Sequence, residues 1–234
     1  MRTELDHPLW YALVGAQSPF AQGPGGARRF KPEVSNLAAL APGAAPDAWG
    51  ELTDTLAPGE HVALFFFDEA PPLPADCPLR VVYEGDYEQM VCTALGSATN
   101  SATAFVELGS ADVDQMLALV ALTQPGPFCR RTPELGRYLG VRHRGELVAM
   151  AGQRAQLPGF REVSAVCTHP DHRGRGLADM LVRALVSASL AQGDAAFLHV
   201  RLDNDTARRA YERIGFVTRR AMRVMAVQRR RHSV

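Results

Sequence analysis

The stretch HPDHRGRGLADML, residues 169–181, sets Gly174 and Gly176 among Arg173, Arg175 and the start of an amphipathic pattern. After Gly176 the apolar residues Leu177, Leu181, Ala184, Leu185 and Ala188 recur at helical spacing, with Arg183 on the outward side. The first turn of such a helix carries unpaired backbone N–H groups and the positive end of the helix dipole. Glycines there remove the side chains that would hold a phosphate away, and Arg173 and Arg175 add charge-assisted donors. The chemistry these residues support is capture of an anion at a helix N-terminus. Neither common nucleotide loop is present: there is no GxxxxGK[ST], and Asp179 stands where a dinucleotide fingerprint needs its third glycine.

A helix of this kind needs a strand leading into it and a sheet to pack on. FREVSAVCT (160–168) reads as the leading strand, AAFLHVRL (195–202) as the strand that follows, NDTARRAYERIG (204–215) as a second helix and VTRRAMRVMAVQ (217–228) as a last strand. Upstream, RYLGVRHRG and ELVAMAGQRA share a turn at Arg144 and Gly145 and form a hairpin. SADVDQMLALVAL is a helix that Ser110 can cap, with Val113, Met116, Leu117 and Val120 on one face, and TAFVELG before it is a strand. Earlier still, PDAWGELTDTLAPG reads as a short helix, and EHVALFFFDEA and LRVVYEG as strands. The succession predicts an α/β (α+β) fold, a mixed, mostly antiparallel sheet flanked by helices. The pattern restarts near residue 103, which suggests an N-terminal α/β lobe over 1–102 without an assigned role and a second domain over 103–234.

Composition narrows the partners. Twenty-five basic residues balance twenty-five acidic ones in a chain of 234, so no overall field draws it to nucleic acid or to an anionic membrane. No apolar run approaches the roughly 20 residues that span a bilayer. The first 25 residues hold acidic groups and no compact apolar segment, so a cytoplasmic location is expected. Cys77, Cys92, Cys129 and Cys167 lack metal-site or disulfide spacing and read as free thiols. His169 and His172 read as turn residues, because His-x-x-His without a further ligand does not hold a metal. The basic tail QRRRH (228–232) reads as a solvated terminus.

Arg173, Gly176 and Ala178 form Arg-x-x-Gly-x-Ala, and Asn204, Ala207, Tyr211, Gly215 and Phe216 form Asn-x-x-Ala-x-x-x-Tyr-x-x-x-Gly-Phe. With these two blocks in this order the chain resembles the GNAT superfamily of acyl-CoA-dependent N-acyltransferases over roughly residues 103–228. The string SAVCTHPDHRGRGLA looks most like the glycine-N-acyltransferase-like branch. The resemblance implies that the strand ending at Thr168 splays from FLHVRL, with acetyl-CoA or another acyl-CoA in the opening and an amine as acceptor. It places the pyrophosphate on backbone N–H groups of Arg173, Gly174, Arg175, Gly176, Leu177 and Ala178, and the pantetheine arm along Val166, Cys167 and Thr168. Two-lobed members of the superfamily suggest that 1–102 is a degenerate copy of the same fold, and a monomer or homodimer is expected.

The resemblance also assigns roles. Tyr211 matches the position that protonates the departing thiolate, although a buried tyrosine in such a helix also serves as core. Asn204 doubles as a helix N-cap, with Ala207 in the same block. Two residues compete as base. Glu162 begins the strand, and strict alternation sets Glu162, Ser164, Val166 and Thr168 on one face. His199, twelve residues before Tyr211, has an imidazole suited to accepting a proton near neutral pH. Glu162 ranks slightly ahead. Cys167 has no base beside it and reads as structural. Arg130 and Arg131 in QPGPFCRRTPELG are candidates to meet a substrate carboxylate. The alternative to an acetyltransferase is a non-catalytic acyl-CoA-binding module, which would need the cradle but not the tyrosine.

Overall fold

The computed structural model describes residues 4–97 and 104–231. An eight-stranded sheet organises it. In chain order its strands are β4 (His61–Phe66), β5 (Leu79–Cys92), β6 (Val106–Leu108), β7 (Tyr138–His143), β8 (Glu146–Leu157), β9 (Phe160–Thr168), β10 (Ala195–Arg201) and β11 (Val217–Arg229). Their spatial order is β4-β11-β5-β10-β9-β8-β7-β6. Every pairing among them is antiparallel except β9 with β10, as a strand–helix–strand connection requires. A small sheet of β1 (Ala21–Gln22), β2 (Ala27–Phe30) and β3 (Ala38–Leu40) lies beside it, touching it through a bridge between Leu37 and Ala63.

Among the described residues five α-helices cover the sheets: α1 (Pro8–Val14), α2 (Ala48–Asp54), α3 (Val113–Thr123), α4 (Leu177–Ala191) and α5 (Asp205–Ile214). On one face α4 buries Leu177, Leu181, Val182, Leu185 and Val186 against Val148, Val163, Ala196 and Leu198, and α5 adds Ile214. The stripe is rotated toward Val182 and Val186 from the one expected. On the other face α3 buries Met116 and Leu119 against Tyr138 and Met150, while α1 and residues 30–39 pack Leu9, Leu13, Phe30 and Leu37 against Met222 and Val224. Leu119 rather than Leu117 is buried there, and Asp112 rather than Ser110 occupies the N-cap position of α3.

The expected two-lobed division does not match the sheet. The boundary near 102–103 lies outside the described residues, but β5, from the supposed first lobe, sits between β10 and β11, and β4 pairs with β11. Of the first hundred residues, β1–β3 form a short sheet of their own, and the two longer strands complete the main one. LRVVYEG underestimated β5, which runs seven residues further into the polar and apolar mixture DYEQMVC. Asp6, buried at the N-terminal end, accepts from Arg219 at 2.8 Å and from Arg220 at 3.2 Å, which ties the first turn to β11.

The Arg144–Gly145 turn is as expected, with both residues left-handed (φ +52 and +90), as a two-residue hairpin of right-twisted strands needs. Gly215 ends α5 at φ +118, and a Cβ there would stand 2.5 Å from Ala94 O and 2.8 Å from Gly96 N. Gly215→Ala should therefore combine left-handed strain with a backbone clash and cost about 2–4 kcal/mol in urea unfolding, whereas Gly50→Ala, inside α2 with an added Cβ that meets nothing, should stabilise by about 0.5–1 kcal/mol.

Candidate active site

The glycine-rich turn is built as an open cradle. After β9 the chain makes a short 3-10 turn, Pro170–His172, and enters α4 through Gly174 (φ +74) and Gly176 (φ +72), both left-handed and both facing space in which an added Cβ would touch nothing within 4 Å. Gly176 is the N-cap of α4 and provides no side-chain cap, so a ligand has access to the N–H groups of the first turn. Arg175 rests on Asp171 O at 3.2 Å and Arg173 on Thr168 O at 3.4 Å, which keeps two guanidinium charges at the rim. These residues fit a pyrophosphate. Arg183, expected to face solvent, is only 12% exposed: it pairs with Asp179 at 2.8 Å and donates to Gly96 O and Arg213 O. It thereby neutralises the one acid in the first turn and locks α4 to the end of α5.

Beyond the cradle the sheet forks. The parallel pairing of β9 with β10 covers only Phe160–Ala195, Arg161–Ala196 and Glu162–Phe197, after which both strands continue without joining. On its other edge β9 carries a bulge: Ser164 pairs with Gly152 but Cys167 with Met150, and Ala165 between them is left-handed at φ +53. A bulge inserts one residue without a cross-strand partner and redirects those that follow. The alternation expected for this strand consequently fails at Ala165. Glu162 and Ser164 face α1 and the N-terminal residues, whereas Val166 packs toward α4 on the opposite face.

At the fork, the two residues weighed as alternative bases form one unit. The Glu162 carboxylate, 1% exposed, accepts from Arg154 Nε at 2.9 Å, Arg154 Nη2 at 2.6 Å, Ala155 N at 3.2 Å and His199 Nδ1 at 2.8 Å. Four donors use the four lone-pair directions of a carboxylate. Burial alone would raise the Glu162 carboxyl, but the Arg154 guanidinium and the hydrogen bonds from His199 and Arg154 outweigh it and hold the group well below the usual carboxylate range. Gln89 fixes the imidazole. Its amide oxygen accepts from Arg219 at 2.9 Å, so its amide nitrogen faces Leu5 O at 3.0 Å and His199 Nε2 at 3.2 Å. His199 is thus the neutral Nδ1–H tautomer, and burial, with the nearby Arg154 charge, lowers its pKa.

Tyr211 reaches the fork from the opposite face, where it packs against the α4 cluster and meets Phe216 edge-on at 5.8 Å. Burial, with Cys167 nearby, pushes its phenol up to about 12, so it carries its proton at neutral pH. Cys167 is pushed up to about 11 by burial, which suits a structural thiol. Asn204 caps α5 by accepting from Ala207 N at 3.1 Å. Beside the 3-10 turn the His172 ring meets His169 edge to face at 5.8 Å and His143 at a tilt at 5.0 Å.

The fork opens into a cleft in which Glu162, Ser164, Val166, His199 and Tyr211 meet Leu37, Ala63, Phe65 and Tyr87 from the first hundred residues and the Pro125–Gly126–Pro127 loop. Arg130 and Arg131 do not line it: Arg130 pairs with Asp114, and Arg131 with Glu33 and Glu134. Sequence reasoning missed Arg154, although a charge within the apolar strand ELVAMAGQRA was a signal for a buried partner. It also missed Gln89 and the aromatic wall, for which no spacing gives a sign.

The family model described as FR47-like protein matches residues 138–224. A crystal structure of a GNAT-family acetyltransferase from Novosphingobium aromaticivorans is 36% identical over 97% of the chain and 99% of its own length, with a TM-score of 0.88. N-alpha-acetyltransferase RimI of Mycobacterium tuberculosis is 38% identical over 34% of the chain and 51% of its own length. Mycothiol acetyltransferase of Corynebacterium aurimucosum is 45% identical over 25% of the chain and 20% of its own length. The matches thus span about half or less of these two curated relatives.

The lowered pKa of His199 means that its neutral form stabilises the fold above the ordinary imidazole value of 6.5, and this contribution is lost as pH falls below it; Glu162 adds a second loss below its ordinary 4.5. Resistance to urea should therefore weaken as pH drops below about 6.5, and His199→Gln should flatten that part of the profile. Glu162→Gln should cost about 3–5 kcal/mol at neutral pH because it leaves Arg154 buried without its counter-charge.

Proposed function

We infer that this chain, which belongs to the GNAT family of acetyltransferases, transfers an acetyl group from acetyl-CoA directly to a primary amine. The observation that carries the reading is the fork. Parallel pairing stops after Glu162 and Phe197, with an open helix N-terminus at one mouth and a protonated phenol within reach of the gap. Arg173, Arg175 and the N–H groups from Gly174 to Ala178 would hold the pyrophosphate, and backbone from Val166 to Thr168 would hold the pantetheine arm. When bound, acetyl-CoA supplies an activated acyl carbon and a thiolate leaving group.

The residues divide the remaining work. As the amine nitrogen bonds to the acyl carbon and the carbon–sulfur bond breaks, Tyr211 gives its proton to the sulfur, which its raised pKa allows at neutral pH. The amine must lose a proton. Glu162 has its lone pairs committed to four donors, so the proton leaves through water in the cleft, drawn by the carboxylate's charge, while His199 holds that carboxylate in place. Two arrangements found here, the saturated carboxylate and the locked imidazole, make Glu162 and His199 one electrostatic device.

The narrower likeness to the glycine-N-acyltransferase-like branch rests on one string and has no support among the relatives named above. The activity reading does not depend on it. A sensor without catalysis would bind acetyl-CoA equally well but would have no use for the Tyr211 proton.

Thiol release from acetyl-CoA with an amine present should fall by about 10²- to 10⁴-fold in kcat on Tyr211→Phe, with acetyl-CoA affinity retained in calorimetry. The double replacement Arg173→Ala with Arg175→Ala should show the reverse, weaker acetyl-CoA binding with kcat at saturation largely kept. Unchanged kcat in Tyr211→Phe would remove the tyrosine from the mechanism.

A further inference from the structure

We propose that the acceptor is a small primary amine carried on an apolar, preferably aromatic, group with no carboxylate beside the nitrogen. This rests on the acyltransferase reading and goes beyond it by naming the class of amine. The first argument is charge. Arg154 and Glu162 are the only charged side chains lining the cleft among the described residues, and they cancel one another in a bidentate pair. His199 is neutral. A substrate carboxylate entering here would lose its hydration without gaining an unmatched cation, a costly exchange. The two arginines that sequence suggested for that purpose are paired elsewhere, outside the cleft.

The second argument is the wall. Leu37, Ala63, Phe65, Tyr87, Pro125 and Pro127 line the side opposite the α4 face. Leu37 and Ala63 are buried and bridged to one another, an apolar surface that leaves the backbone polar groups of a peptide without partners. Phe65 is fixed before any ligand arrives: His199 meets it edge-on at 4.7 Å, and the Arg154 guanidinium lies 5.8 Å from its centroid. A preorganised aromatic surface beside apolar aliphatic groups favours a flat apolar body, and aromatic faces tolerate a cationic nitrogen. Ser164, on the Glu162 side of the bulge, offers a hydroxyl within the same pocket. The first hundred residues, which carry no motif, thereby determine specificity.

Matched probes test this: phenethylamine, phenylalanine, which adds only the carboxylate, and a tripeptide beginning with phenylalanine. Each is titrated calorimetrically into the CoA-loaded protein and assayed for thiol release with acetyl-CoA. Phenethylamine should bind at least tenfold tighter than phenylalanine and than the tripeptide, and Phe65→Ala should raise its KM severalfold while the acetyl-CoA Kd stays as in the parent. Phenylalanine or the tripeptide binding as well as phenethylamine would overturn the proposal, as would no binding of phenethylamine at millimolar concentration or an unchanged KM in Phe65→Ala. Tight phenethylamine binding with no thiol release would leave the pocket assignment standing and sink the acyltransferase reading instead.

Discussion

Where β9 and β10 part, the Glu162 carboxylate is held by Arg154, by the backbone of Ala155 and by His199, all within β8 and β10 on either side. A carboxylate and a guanidinium out of water are costly to bury, and their attraction offsets that cost only when the remaining hydrogen-bonding capacity is filled. Here it is filled. The cluster joins three neighbouring strands through side chains at the last point where the backbone ladder still does so. Beyond it the strands separate, and the gap they leave is the cleft.

The network extends past the fork. Gln89 on β5 connects His199 to Arg219 on β11, and Arg219 reaches Asp6 before α1. A second set on the opposite face joins Glu88 of β5 to Arg208 of α5 at 2.5 Å and to Thr218 of β11 at 3.1 Å. Neighbouring residues of one strand thus serve opposite faces of the sheet, as pleating dictates. One holds the imidazole and the other holds the helix that carries Tyr211. The position of β5 between β10 and β11 is what allows the first hundred residues to act on both.

The cleft is consequently assembled from parts with different logic. The end proposed to hold the pyrophosphate uses backbone N–H groups and positive-φ glycines, which demand a local sequence and little else. The end proposed for the acceptor uses side chains such as Leu37, Phe65 and Tyr87, whose types are ordinary core types and whose meaning comes from what they face. The fork between them uses buried charges whose protonation states follow from their partners.

The sequence by itself determined the local matters. The glycine turn, the helix after it, the hairpin at Arg144 and Gly145, the cap at Asn204 and the succession of strands and helices from β6 to β11 follow from residue types at short spacing. Tertiary structure alone decided the rest. It inserted β5 into the middle of the sheet, placed a bulge at Ala165 that turned Val166 away from Glu162, and joined Glu162 and His199 with Arg154, so that two rival bases became one saturated cluster. The reason is physical. Propensity, capping and periodicity act within a few residues, whereas strand order, bulge position and the partner of a buried charge are settled by which surfaces and polar groups must be satisfied together, at separations such as the 110 residues between Gln89 and His199.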